Sequence, residues 1–172
     1  MTSYPSDLAI RFATVQDCPA ILGFIRELAE YERLLHEVVA DEAAIKSSLF
    51  GVKPAAEVLL AELSGTAVGF ALFFQSYSTF LAKPGLYLED LFVQPEVRGR
   101  GVGLALMSAL ARIATQRNYG RFEWSVLAWN EPSLKFYESL GAGQMRDWMV
   151  HRLIGPSLHT LAGRWAHPVG KT

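Results

Sequence analysis

The sequence has little or nothing of three features, each of which is typical of a particular class of protein. It has one cysteine, Cys18, in 172 residues, which excludes an intrachain disulfide framework and a cysteine-rich zinc site. No apolar run approaches the roughly 20 residues needed to cross a bilayer. The N-terminus has no basic region followed by an apolar stretch, so it is not typical of a signal peptide. We therefore expect a soluble, cytoplasmic protein with no membrane partner.

The chain also has no large excess of positive or negative charge, because 16 Lys and Arg residues nearly balance 17 Asp and Glu residues. A protein without a broad basic field is not expected to bind nucleic acid. The four histidines are scattered, and no His, Cys and Asp set has metal-ligand spacing, so no metal is expected. Hydrophobic residues make up 51% of the chain, which is enough for a full core.

Periodic patterns predict secondary structure along most of the chain. The predicted order β-α-α-β-β-β-α-β-α-β indicates an α/β fold, a mixed sheet with helices on both faces, in a single domain over residues 1–172. A core at about 8–154 precedes a tail, 155–172, that is predicted to form a short helix at best. The predicted helices run from Asp17 to about Leu35, from Asp41 to before Gly51, from after Gly103 to near Gly120, and from Asn130 to Gly141. The predicted strands are Leu8–Phe12, Glu57–Leu63, Ala67–Tyr77, Leu86–Val93, Arg121–Leu127 and Met149–Ile154.

The most informative motif is the glycine-rich turn at residues 98–103, RGRGVG, between a predicted strand and a long predicted helix. Glycines let a backbone approach a ligand closely, and the N-terminus of a helix attracts anions, so a pyrophosphate is the natural occupant. The phosphate-loop motif is absent, and the dinucleotide pattern G-x-G-x-x-G fails because Leu104 and Leu106 replace its last glycine. A tight turn that binds no ligand is the alternative.

Arg98-x-x-Gly101-x-Gly103 resembles the R/Q-x-x-G-x-G/A signature of the GCN5-related N-acetyltransferase (GNAT) superfamily, which also follows a strand. The similarity covers about residues 8–154 and is greatest to the diamine (spermidine/spermine-type) branch. It implies the GNAT fold, a central mixed and mostly antiparallel sheet flanked by helices. Three further segments carry the resemblance: residues 27–32 (ELAEYE), 86–93 (LYLEDLFV) and 129–137 (WNEPSLKFY).

The resemblance also implies acetyl-CoA as the cosubstrate. In the family, backbone matching residues 91–93 pairs with the pantetheine arm, amides matching residues 99–104 hold the pyrophosphate, and the helix that starts at Asn130 flanks the CoA. Members of this branch are usually homodimers with the active site near the subunit boundary. The implied acetyl-CoA-binding residues are Leu91, Phe92, Val93, Arg98, Gly99, Arg100, Gly101, Val102, Gly103, Leu104, Asn130, Ser133 and Tyr137.

Acetyl transfer needs a base and an acid. A substrate ammonium with a pKa of about 10.4 is roughly 0.1% neutral near pH 7.4, so deprotonating it costs about 4 kcal/mol. By resemblance, Tyr137 lies near the CoA sulfur and is the candidate acid; an ordinary packing role is the alternative. Glu89 is the candidate base, acting through a water, with a solvated edge as the alternative. Its neighbour Asp90 is expected to point to the opposite face of the strand.

The candidate substrate-binding residues are Tyr31, Glu32, Glu89 and Asp90. Tyr31 and Glu32 match positions that contact the amine in polyamine acetyltransferases, and both an aromatic face and a carboxylate attract cations. A solvated helix end is the alternative. The sequence departs from the family at Phe80, where a tryptophan is usual, and matches it loosely at residues 141–151.

These residues predict acetyl transfer to the primary amine of a small cationic substrate, either a diamine or polyamine or a lysine-like amino acid. Two alternatives remain open. One is acetylation of a protein lysine or N-terminus, and the other is a non-catalytic acyl-CoA-binding sensor. The presence of both Glu89 and Tyr137 argues against the sensor.

Overall fold

A computed structural model describes residues 4–165, 167, 169 and 170 of the chain. These residues fall into two compact units. The N-terminal unit extends through Ser125, and the C-terminal unit begins at Val126. The organisation of residues 1–172 as a single domain stays a prediction.

One sheet forms in the N-terminal unit, with the strand order β1-β2-β3-β4-β5. Neighbouring strands are antiparallel except β4 and β5, which are parallel, so the predicted mixed and mostly antiparallel sheet is confirmed. Ser64 and Gly65 both have positive φ, as the turn of a tight hairpin requires. The strands are β1 (Leu8–Phe12), β2 (Glu57–Leu63), β3 (Thr66–Ser78), β4 (Lys83–Val93) and β5 (Phe122–Trp124).

Helices pack against both faces of this sheet. Strand residues such as Leu60 and Phe70 share a buried cluster with Ile21 and Phe24 of the first helix. Leu59 points the other way, because successive strand side chains alternate, and it lines a groove together with residues of the third helix. The helices are α1 (Cys18–Tyr31), α2 (Glu42–Phe50) and α3 (Val102–Gln116) in the N-terminal unit, and α4 (Glu131–Ser139) and α5 (Gly155–Ala162) in the C-terminal unit.

The ends of the first two helices follow from local backbone chemistry. α2 begins where the sequence predicts, because the Asp41 carboxylate accepts a hydrogen bond from the backbone N–H of Ala44 at 2.8 Å. α1 ends at Tyr31 rather than near Leu35. The reason is a left-handed turn at Arg33, whose φ is +63°, which directs the chain away from the helix axis.

Three predictions about the strands are wrong. The predicted loop at 78–85 is shorter, because β3 and β4 extend into it as a long hairpin. The predicted strand Arg121–Leu127 is reduced to three residues. The predicted strand Met149–Ile154 does not form in the chain, since none of the residues 142–154 lies in a strand. Alternation marks a segment that suits a sheet, but a strand also needs a neighbour.

The tail contains the short helix α5, in agreement with its prediction. Residues 166, 168, 171 and 172 of that tail lie outside the described residues.

Candidate active site

The edge of β4 is open along its second half. β4 pairs with β5 only from Leu86 to Leu88, opposite Phe122–Trp124. Because β5 ends there, residues 89–93 extend beyond it with backbone groups that face no strand of the described sheet on that side. An extended ligand arm can hydrogen-bond to such an edge as a strand does. This is the segment that the sequence predicts to pair with pantetheine.

A β-bulge lies at the start of the open segment. Phe73 of β3 stands opposite Leu88, and the next β3 residue in the pairing, Leu72, stands opposite Asp90, so Glu89 is the extra residue. Leu88 and Asp90 would share a face in a regular strand. Their partners Phe73 and Leu72 are consecutive and therefore lie on opposite faces. The bulge thus moves Asp90 to the face that carries α1.

The carboxyl group of Asp90 is partly buried, which disfavours its charged form. It lies two residues before Phe92, whose ring packs near that of Phe24 at 6.2 Å between centroids. Burial, together with the negative charges of Glu89 and Glu32, raises the pKa of Asp90 to about 6. Glu32 follows the last residue of α1, and burial raises its pKa as well. The two carboxyl groups make this corner attractive to a cation.

Glu89 and Asp90 differ in exposure, although they are neighbours in sequence. Glu89 is exposed and Asp90 is only partly so. The expectation that the two acids point to opposite faces of the strand stays a prediction, since a difference in exposure does not test it. Neither the role of Glu89 as a base nor that of Asp90 in substrate binding is decided by this difference.

Arg98 connects the end of α1 with the open edge of β4. Its guanidinium carbon lies 5.0 Å from the centroid of the Tyr31 ring and 5.5 Å from that of Phe92. Its Nε donates a hydrogen bond to the carbonyl oxygen of Val93 at 2.8 Å. One residue of the glycine-rich turn therefore contacts a predicted amine-binding residue and the predicted pantetheine edge. Nothing in the sequence indicated this contact.

The turn itself suits an anion. Gly99 and Gly101 have φ of +74° and +85°, which other residues adopt at a cost. A Cβ atom at Gly99 would meet open space, so the backbone there is accessible as well as unusual. α3 begins at Val102, and its first N–H groups, at residues 102–104, have no carbonyl partner within the helix. These donors and the positive end of the helix fit a pyrophosphate.

The candidate residues of the C-terminal unit lie on α4. Asn130 is buried, and its side-chain oxygen accepts a hydrogen bond from the backbone N–H of Ser133 at 3.3 Å, which caps the helix as predicted. Tyr137 is half-buried, and its ring lies 5.4 Å from that of Phe136. Tyr137 and Glu89 belong to different units, so their pairing as acid and base stays a prediction.

Two absences apply to the part of the chain that the structure describes. No group of three or more His, Cys, Asp or Glu side chains is arranged there to hold a metal ion. No helix in the same part has the length and apolar character required to span a membrane.

Comparison with known proteins agrees with this geometry. The pattern of the acetyltransferase (GNAT) family matches residues 21–142. A thialysine N-epsilon-acetyltransferase from Mus musculus is 35% identical in an alignment 166 positions long, which covers 90% of this chain and 97% of that protein. A spermidine/spermine N(1)-acetyltransferase-like protein from Homo sapiens is 34% identical in an alignment 140 positions long, which covers 77% of this chain and 20% of that longer protein.

A solved structure has the same fold. An integron cassette protein from the mobile metagenome of V. cholerae has a TM-score of 0.78 and 28% identity, and the match covers 92% of this chain and 99% of that one. The predicted fold and the resemblance to the diamine branch are confirmed. The chain belongs to the acetyltransferase (GNAT) family and is an acetyl-CoA-dependent amine N-acetyltransferase.

Proposed function

We propose that this enzyme transfers the acetyl group of acetyl-CoA to the primary amine of a small cationic substrate, namely a diamine or polyamine or a lysine-like amino acid. The names of the relatives, thialysine and spermidine/spermine-like acetyltransferases, support this class. The observation that carries it is the pair of carboxyl groups, Glu32 and Asp90, whose charges interact beside the open edge of β4. Such a pair favours a substrate that keeps a positive charge while another amine reacts.

A substrate with two amines gains from this site twice. One ammonium binds the carboxylates. It offsets both the burial of the Asp90 charge, the main cause of the raised pKa, and the repulsion from Glu89 and Glu32 that adds to it. The other amine loses its proton and attacks the acetyl carbonyl. The bound ammonium keeps its charge, and its attraction to the carboxylates, because it takes no part in the bond that forms. A monoamine of equal length must give up the only charge that the carboxylates can bind. Selectivity for dications follows.

The proton transfers are assigned to two further residues. Glu89, exposed on the bulge, accepts the amine proton through a water molecule, and the Tyr137 hydroxyl donates a proton to the departing CoA sulfur. A backbone N–H of β4 stabilises the tetrahedral oxyanion. Residues 91–93 hold the pantetheine arm, residues 98–104 the pyrophosphate, and Asn130 and Ser133 flank the CoA. A cytoplasmic homodimer that works without metal or nucleic acid completes the proposal.

A thiol-release assay with matched amines tests the proposal. The kcat/KM for 1,4-diaminobutane and for lysine is expected to exceed that for butylamine. Glu32→Gln is expected to raise KM for the dication about fivefold, because it removes roughly 1 kcal/mol of charge attraction, and more at low than at high salt. Glu30→Gln, the same change at an exposed position of α1, is the control and should leave KM unchanged.

Three results would contradict parts of the proposal. Better turnover of peptide N-termini or protein lysines than of diamines would indicate a protein acetyltransferase. Acetyl-CoA binding without thiol release for any amine would indicate a sensor. An unchanged KM in Glu32→Gln would remove Glu32 from the substrate site.

A further inference from the structure

Three charged side chains of the N-terminal unit have hydrogen-bonding capacity that the described chain does not use. Arg98 donates one hydrogen bond, from its Nε to the carbonyl oxygen of Val93 at 2.8 Å. Within the described residues its two terminal nitrogens donate none, and its guanidinium forms no ion pair. The carboxyl groups of Glu32 and Asp90 likewise have no hydrogen bond or ion pair in that part of the chain.

The Arg98 side chain lies on the face of the sheet that carries α1. Its guanidinium contacts Tyr31, the last residue of α1, and Phe92, whose ring packs near that of Phe24 in the same helix. The N–H groups proposed to bind phosphate belong to α3, which packs on the opposite face. Backbone groups of the turn can therefore bind the pyrophosphate while the Arg98 side chain remains available to the substrate.

The two carboxyl groups are on the same face as this guanidinium. Glu32 directly follows Tyr31, and Asp90 lies two residues before Phe92 on the side of β4 that faces α1. The negative charge of Glu32 acts on Asp90, yet the charge of Arg98 lowers the pKa of neither acid. The cation and the acids therefore border one corner of the site without neutralising each other.

An α-amino acid carries the complementary pair of charges, an ammonium and a carboxylate on one carbon atom. We propose that this corner binds the zwitterionic end of a lysine-like amino acid, with the α-ammonium on Glu32 and Asp90 and the α-carboxylate on the terminal nitrogens of Arg98. A guanidinium can donate to both oxygens of a carboxylate at once. The inference rests on the proposed function, and it selects the lysine-like amino acid from the substrates named there.

The guanidinium also acts against the competing substrates. A diamine has no carboxylate, so it leaves the terminal nitrogens of Arg98 without a partner and places a second positive charge near them. Selectivity then has an attractive part, the bond to the carboxylate, and a repulsive part, the opposed cations. Both parts favour lysine over a diamine of the same length.

The arrangement also predicts that the enzyme distinguishes the two enantiomers of lysine. Three different groups on the α-carbon have assigned positions: the ammonium at the carboxyl groups, the carboxylate at Arg98, and the side chain towards the open edge at residues 89–93. Only one enantiomer can place all three groups at the same time. Without the Arg98 contact two groups remain fixed, and the discrimination is lost.

A matched pair of substrates tests the inference, because L-lysine and 1,5-diaminopentane differ only in the α-carboxylate. The kcat/KM of the parent is expected to be about tenfold or more higher for L-lysine. Arg98→Gln should lower kcat/KM for L-lysine roughly 10–100-fold and change that for 1,5-diaminopentane by less than about threefold. Arg26→Gln, the same change about 140° away from Tyr31 around α1, is the control and should leave both values unchanged.

Two further comparisons separate substrate binding from a structural role of Arg98. The parent is expected to prefer one enantiomer of lysine about tenfold or more, and Arg98→Gln to reduce that preference to below about threefold. Arg98→Lys, which keeps the charge and loses the paired donors, should restore part of both preferences. Equal losses for L-lysine and 1,5-diaminopentane, together with weaker acetyl-CoA binding, would overturn the inference and assign the side chain to the cosubstrate.

Calorimetry allows the two proposals to be judged separately. L-Lysine is titrated into the parent and into Arg98→Gln, each saturated with CoA, so no turnover is required. The Kd for L-lysine is expected to be about tenfold or more higher in the variant. Equal Kd values would overturn the inference and leave the proposed acetyl transfer intact. Normal binding of L-lysine without acetylation of any amine would instead contradict the proposed function.

Discussion

The two units of this chain differ in what they bury. All the buried apolar residues of the described chain lie in the N-terminal unit, from Cys18 to Ala114. The C-terminal unit buries the polar residue Asn130 and leaves large apolar side chains such as Trp148 exposed. The N-terminal unit therefore has the core that an independent fold needs, and it also contains the carboxyl pair and the glycine-rich turn. The C-terminal unit contains Tyr137, the proposed acid.

The largest expected effect concerns the contribution of the C-terminal unit to chemistry. Tyr137→Phe removes one oxygen atom and leaves most packing of the half-buried ring intact. If the hydroxyl protonates the CoA sulfur, kcat falls by roughly 10²–10⁴ while the Kd for acetyl-CoA stays the same. Single-turnover kinetics and calorimetry measure the two quantities. A loss of kcat below threefold would return Tyr137 to a packing role.

The next effect concerns the core of the N-terminal unit. Phe70 is fully buried, and its ring lies 5.7 Å from that of Phe24. Phe70→Ala is expected to lower the free energy of unfolding by about 3–5 kcal/mol, because it removes apolar contact and leaves a cavity. Urea denaturation followed by circular dichroism measures the change. A cost below 1 kcal/mol would mean that this cluster is not the main core.

A smaller effect of opposite sign is expected at Asp90. Because its pKa is raised to about 6 in the folded protein, folding binds protons between the unfolded value near 3.8 and 6, and stability falls as pH rises through that range. Asp90→Asn removes this penalty. It is expected to stabilise the protein by about 2–3 kcal/mol at pH 7.5 and hardly at all below pH 4. Denaturation curves at both pH values that shift equally would contradict the buried-charge explanation.

The raised pKa of Asp90 also predicts how substrate binding depends on pH. Its carboxylate is charged above about pH 6 and becomes neutral below it. The KM of the parent for a diamine is therefore expected to rise more steeply than that of Asp90→Asn as pH falls from 7 to 5.5. Parallel pH profiles for parent and variant would show that Asp90 does not hold the ammonium.

The smallest effect is expected at an exposed position of the C-terminal unit. Leu161 is about half exposed on α5. Leu161→Ser should change the free energy of unfolding by less than about 0.5 kcal/mol, because the side chain is already in contact with solvent. Urea denaturation measures the change. A loss above about 1 kcal/mol would contradict the comparison between the two units.

The sequence predicts the N-terminal unit better than the C-terminal unit for a physical reason. β2 and the helices α2 and α3 depend on local patterns and caps, such as the Asp41 side chain, and they form close to where these patterns place them. The strand predicted at Met149–Ile154 fails because pairing is not local. A segment can be suited to a sheet while the chain offers no neighbour for it.

The candidate site is also predictable only in part from the sequence. The glycine-rich turn follows from spacing and backbone freedom, and the strand before it follows from hydrophobicity. The bulge at Glu89 does not, because a one-residue slip in the pairing of β3 and β4 leaves no sign in the residues of β4 alone. The contact between Arg98 and Tyr31 was missed for the same reason, since it joins segments far apart in the sequence.

The affinity of the glycine-rich turn for acetyl-CoA tests most directly whether the N-terminal unit holds the cosubstrate. Gly101→Asp places a bulky, negative side chain at a φ of +85° where the phosphates are proposed to lie. Gly65→Asp makes the same change at a φ of +79° in the β2–β3 turn and is the control for backbone strain. Calorimetry is expected to give at least 100-fold weaker binding for Gly101→Asp and unchanged binding for Gly65→Asp. A folded Gly101→Asp protein that binds acetyl-CoA as tightly as the parent would contradict the account.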